Sequence, residues 1–360
     1  SLGFDQLGSK TTAIGFRALG TQRFTTATDS NNTAVGYDAG LEVTTGANNT
    51  LIGSLAGDAL TTGAANVAIG YKALSTEDGH GSNVAIGFKA LEDLNAGTTG
   101  SNVAVGGSAG ANVTTGIRNT LIGKSAGAAL TDADYNVAVG HEALTSDTLG
   151  SGSTAIGYGA LDTQNFTTAT DAYNTAVGYF AGDNISNGIR NTFVGAFCGD
   201  GTNDGIDNVA VGFEALTSNC GDNNVAIGAG ALAVNTSTNN VAVGKDAGLA
   251  STAASNVFIG ASAGLSSTGG GECVMIGHSA GQFATTANDS TFIGRNAAKG
   301  ITSAKLTGAN NTAIGKAAGL LLQGAANANT LIGVDAGDAI TTGSSNIIIG
   351  HSSAASAVGA

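Results

Sequence analysis

Asn49-Thr50-Leu51-Ile52-Gly53 is followed seventeen residues later by Asn66-Val67-Ala68-Ile69-Gly70, and again by Asn83-Val84-Ala85-Ile86-Gly87. The same text recurs twenty times between Thr11 and the C-terminus, with eleven of the nineteen glycine-to-glycine spacings at 17 residues and three at 16. Ile or Val precedes the glycine in every copy, and Thr, Val or once Ile347 stands two residues earlier. β-branched residues alternating in this way define a strand, and its repetition at a short steady period defines a solenoid. The residue between them is Ala in twelve copies and Leu51, Leu121, Phe193, Phe258, Met275, Phe292, Leu331 or Ile348 in the rest, so both faces of the strand are expected to be covered.

Working outward, the residue four before the glycine is Asn in sixteen copies, Asn49, Asn66 and Asn83 among them, and the exceptions are Thr11, Ser153, Cys273 and Ser290. Stacked asparagines can form an amide ladder and satisfy turn backbone. The glycines, such as Gly53, Gly70 and Gly87, mark a bend or a close backbone approach, and Ile52, Ile69 and Ile86 continue the apolar ladder. Ala follows three residues after the glycine in eighteen copies and fits a tight corner. The remainder of each rung reads as a polar return, as in Thr44-Thr45-Gly46, Thr61-Thr62-Gly63, Thr114-Thr115-Gly116 and Thr341-Thr342-Gly343.

With one anchor strand per rung and a polar return, the expected fold is an all-β parallel solenoid, or β-roll, of about twenty rungs of mostly 17 residues. A flattened roll hides one strand face and leaves the other for partner chains. The expectation is therefore a parallel homotrimer, intertwined or side by side, with Ala and its larger substitutes on the shared axis. Residues 1–10 read as a lead-in and 11–360 as one continuous repeat domain. A super-repeat of eight rungs begins near 11, 153 and 290, where 21-residue spacings add four residues expected to bulge outward.

Composition narrows the function classes. With 58 Gly, no Pro and no Trp the chain packs small side chains, and a net charge of −13 supplies no basic stripe for nucleic acid or an anionic membrane. No apolar run approaches the length of a membrane span, and the absence of an initiator Met or signal peptide suggests a processed chain or a segment. Cys198, Cys220 and Cys273 are odd in number and lie in different rungs, so no disulfide framework is read. His80, His141, His278 and His351 lack metal-site spacing, and no nucleophile elbow or dinucleotide loop is present. No catalytic residue, metal or cofactor is assigned, and the chain is not expected to be an enzyme.

The variable slot after the glycine holds Phe16, Tyr37, Tyr71, Phe88, Tyr158, Tyr179 and Phe213, besides histidines and cations. Such a row could stack against the sugar rings of a surface glycan. It could equally cover the corner of the roll by packing on adjacent rungs, the reading favoured because the slot also accepts Ala196, Ala229 and Ala261.

Strings such as Asn311-Thr312-Ala313-Ile314-Gly315 resemble the head repeats of trimeric autotransporter adhesins and, more closely, the repeats of phage tail-fibre-like proteins. The resemblance implies a left-handed parallel β-roll, three chains wide, projecting from a cell or virion. The expected function is a structural fibre, shaft or adhesin head that spaces or presents a surface-binding region, outside the cell, on its surface or on a virion. Expected partners are other copies of the chain and a cell-surface glycan or protein. The alternatives are a self-assembling filament of stacked solenoids and, third, an ice-binding solenoid suggested by the Thr-Thr-Gly returns.

Overall fold

The computed structural model describes residues 5–353. The protein is an all-β parallel solenoid of about twenty turns at roughly 17-residue spacing, with no helix among the described residues. It divides into two compact units, 1–187 and 188–360. In the first, ten three-residue strands run from Thr12–Ile14 to Thr175–Val177; in the second, ten run from Thr192–Val194 to Ile347–Ile349. Within each unit successive strands pair in parallel and in register, as in Val67↔Val84, Ala68↔Ala85 and Ile69↔Ile86.

Each strand ends on its glycine because the backbone there adopts φ between +128° and +146°, a region L side chains avoid. A Cβ at Gly53 would also run into the Gly70 carbonyl one rung on. The chain then turns through two further left-handed residues, two and four positions after the glycine; Asp38 and Gly40 are examples, at φ 57° and 59°. The Ala between them is buried, as Ala39 is here and Ala56 is one rung on.

The asparagines are the second organising feature. Asn49 Oδ1 accepts the Asn66 backbone N–H at 2.9 Å, and Asn49 Nδ2 donates to the Gly63 carbonyl at 2.8 Å, on the return side of the next rung. The same two bonds recur at Asn102 and Asn119, so each amide joins a strand start to a return and both to the rung above. These side chains are fully buried, where an unsatisfied amide would cost about 1–3 kcal/mol. Where Thr11 or Ser153 replaces Asn, a glutamine repairs the row from the return side. Gln164 Nε2 donates to Ser153 Oγ at 3.1 Å and its Oε1 accepts from Asn174 Nδ2 at 2.8 Å, and Gln22 does the same between Thr11 and Asn32.

Two sequence expectations are corrected. The residue in the middle of the strand does not lie on an axis shared between chains: apart from the end strands at Ala13 and Ile348 it is fully buried inside its own chain. The return is not polar throughout either, since its seventh residue after the glycine points inward, as Val43, Leu60, Leu94, Val113, Leu130 and Ile185 do. This second buried position closes the core within one chain.

The core is filled by exchange between positions. Leu at the fourth position after the glycine (Leu19, Leu74, Leu91, Leu144, Leu161, Leu216, Leu232) always accompanies Ala in the strand. A large strand residue instead faces Gly: a Cβ at Gly57 would lie 2.8 Å from Leu51 Cδ2, and one at Gly199 2.5 Å from Phe193 Cδ1. The space between rungs holds one large side chain from one side or the other, and two would overpack it.

The insertions bulge only in part. Thr25 and Thr26 are exposed, but Phe24 tucks into the core, as Phe166 does in the duplicate. Short strands brace both loops, Gly8–Ser9 with Thr28–Asp29 and Gly150–Ser151 with Thr170–Asp171. The first of these lies in the lead-in.

Candidate functional surfaces

Pleating turns the first and third residues of every strand outward while the middle one enters the core. In each unit this leaves rows of Thr or Val beside Ile or Val, half-exposed, with no charged residue on any of the three-residue strands. Ile52 is 37% exposed in the first unit and Ile227 40% in the second. Ten strands at about 4.8 Å spacing make each face roughly 43 Å long, a continuous uncharged surface of the kind that marks an association site.

The aromatic row borders this face. Phe16 and Tyr37 stack at 5.4 Å with planes 9° apart, and Tyr71 stacks on Phe88 at 5.6 Å. His141, Tyr158 and Tyr179 form a triple stack at 5.3 and 5.4 Å, with Phe180 edge-on to both tyrosines. In the second unit Phe213 meets Phe197 edge-on at 6.2 Å. Arg17 sits over Phe16 at 5.2 Å and Lys89 over Phe88 at 5.8 Å. A sugar stacks on a ring face, and here many of those faces are already taken by the ring one rung away or by a cation. Tyr71 and Phe88 nevertheless remain 43% and 54% exposed.

Other polar groups serve the scaffold. The hydroxyls of Thr44, Thr61 and Thr131 donate to the return carbonyls of Thr61, Asp78 and Thr148, one rung on, at 3.1, 2.9 and 3.0 Å. Asp147, fully buried, accepts from Gly150 N, Phe166 N and Gln164 Nε2 at 3.1, 3.0 and 2.6 Å. Asp5 makes the same set with Gly8, Phe24 and Gln22, and Glu77 takes the His80 and Ala96 amides at the same sequence offsets. Sequence reasoning missed these carboxylates; the signal was their recurrence three residues before a return turn, in a segment otherwise poor in charge. Burial pushes the Asp147 carboxyl up despite its bonds. At Asp5 burial also pushes upward, but the Gln22 side chain and the Gly8, Phe24 and Leu7 amides outweigh it, and the carboxyl sits low.

Glu77, Asp78 and His80 bring ligand-type atoms within 4.8 Å of one another. Glu77 Oε1, however, is already engaged by the His80 amide at 3.0 Å and faces its ring Nδ1 at 3.2 Å, so the group closes a turn. Asp58, Asp200 and Asp338 occupy one rung position and each keeps a buried oxygen without a hydrogen bond, but they lie in separate rungs. The three thiols are buried and unpaired in disulfides. Burial raises Cys198 to about 12 and Cys220 to about 11, which holds both as unreactive thiols at neutral pH. Cys273, in an asparagine slot, donates to the Ala287 carbonyl fourteen residues on, as an asparagine Nδ2 would. No helix is long and apolar enough to cross a membrane among the described residues. Compared with known proteins, the chain matches no family model and no curated sequence.

Proposed function

We propose that the protein is a structural fibre segment, a shaft or adhesin head of the cell surface, extracellular space or virion, built from parallel copies packed side by side as a homotrimer. The observation that carries this reading is the outward strand face, uncharged and β-branched in every rung of both units. In a single chain that face is half-exposed, and burying it against other copies would stabilise the assembly by about 25 cal/mol per Å² of apolar surface. The fibre spaces or presents a surface-binding region, and no catalytic, cofactor or nucleic-acid role is assigned to it. The ice-binding alternative is weakened by the Thr44, Thr61 and Thr131 hydroxyls, which are committed to neighbouring carbonyls.

The test is the solution mass by light scattering, with negative-stain images of the same sample. Three chains per slender particle are expected. A folded monomer at all concentrations would overturn the reading, and open-ended polymers would replace it with the filament.

A further inference from the structure

Two rungs of the second unit carry ionisable side chains on both edges of the uncharged face. Along one strand the outward residues are Glu272, Val274, Ile276 and His278; along the next they are Asp289, Thr291, Ile293 and Arg295. The strands pair in register, Val274↔Thr291 and Ile276↔Ile293, so the arrangement sets acid beside acid on one edge and His278 beside Arg295 on the other. All four side chains are exposed. None of them forms an ion pair among the described residues, whereas Arg190 binds Asp207 bidentately at 2.7 Å in the same unit. Within a rung the acidic and basic residues lie six positions apart, at opposite ends of a three-residue strand and at most about 20 Å from each other. Like charges brought together on one edge are unfavourable in the isolated chain.

We infer that this part of the face docks a second copy of the chain, running parallel and in register, with Glu272 and Asp289 of one copy meeting His278 and Arg295 of the next. This rests on the association proposed above and names the side chains that would hold its copies parallel and in register. Rotation about an axis along the rung stack sets the acidic edge of each copy against the basic edge of its neighbour at the same level. Rotation about an axis along the strands, which runs the copies antiparallel, sets acid against acid and base against base. The charges thus select the parallel arrangement whatever the number of copies, as complementary rims do at other interfaces. The acidic edge also borders an open concavity of about 350 Å³, lined by Ala253, Gly269, Gly271, Glu272, Asn288 and Asp289, and the neighbour's Arg295 guanidinium has room to enter it. Arginine suits the task because its planar fork can bind a carboxylate through two hydrogen bonds.

The experiment reverses one edge at a time in the full chain. Glu272→Lys with Asp289→Lys makes both edges basic, and His278→Asp with Arg295→Asp makes both acidic. Each double variant is expected to weaken self-association roughly tenfold or more, and the quadruple variant to restore it. An equimolar mixture of the two double variants is expected to co-assemble, which no pairing inside one chain would produce. Circular dichroism of each variant checks that the solenoid is retained. Unchanged association of both double variants, in a protein that is itself oligomeric, overturns this inference and leaves the proposed fibre standing. So does a quadruple variant that fails to recover. A wild-type chain that never associates removes both.

Discussion

The two units build the same rung from different fillings. In the first, a large strand residue is leucine and its return partner is leucine as well, Leu51 with Leu60 and Leu121 with Leu130. In the second, Phe193 faces a return carrying Thr202, and Phe258 one carrying Ser267. The larger ring occupies space that two leucines share elsewhere. The first unit also buries whole carboxylates, Asp38, Glu77 and Asp147, whereas the fully buried polar residues of the second are asparagine, serine and threonine among the described residues. The lesson is that the backbone ladder fixes the volume of a rung and leaves its chemistry open.

The largest test removes the filling. Phe258→Ala should cost about 4 kcal/mol and Leu121→Ala about 3, because Leu130 can lean into the space left at Leu121 while Ser267 cannot fill that left by a ring. Urea midpoints, with hydrogen exchange assigning the loss to a unit, check the order; a smaller loss at Phe258 would break the comparison. A finer test transplants one filling into the other unit. Leu51→Phe should cost about 1–3 kcal/mol by overpacking and Leu60→Ser about 2–4 by a cavity, while the double variant should fall short of their sum by about 1–2. Strict additivity would show that the two positions do not share a space.

The smallest effect separates the duplicated carboxylates of the first unit. Asp147 has its pKa raised by burial, so its folded form holds the proton more tightly than its unfolded form. Its contribution is fully present below the unfolded value near 4 and is lost as pH rises through the folded value. Asp5 is lowered, so its contribution is present above about 4 and lost as pH falls through the folded value. The stability gap between wild type and Asp147→Asn should therefore widen on acidification, and that for Asp5→Asn should narrow. Parallel slopes in urea titrations across pH 3–7 would sink the distinction.

Much of the rung was legible from types and spacing. Ile69 before Gly70, Asn66 four residues earlier and Ala73 three later each report a local demand, for a strand, a bonded turn and a tight corner. Which carbonyl an asparagine reaches was not legible, because its partner lies fourteen residues away on the next rung. The inward residue of the return was missed because its neighbours share no pattern: Val43 follows Leu41-Glu42, whereas Leu60 follows Asp58-Ala59. Of the candidate site, the sequence located the Tyr71 and Phe88 rings, but not that they turn faces to each other. Nor could it show that Glu272 and Asp289 share an edge, since that follows from the register between rungs.

The exchange between strand and turn leucines has a bearing on how such a chain changes length. In the first unit the fillings read Leu19, then Gly40 above Ala34, then Leu51 with Gly57, then Leu74, and the next four rungs repeat the order with Leu91, Gly110, Leu121 with Gly127, and Leu144. Losing the Leu51 rung alone would take away a side chain that now fills the space at Gly40 together with Leu19. A block of four begins and ends on matching seams and could be inserted with every new contact already of a kind the fold contains. Growth of this molecule by duplication in steps of four would therefore create no seam that the fold does not already contain.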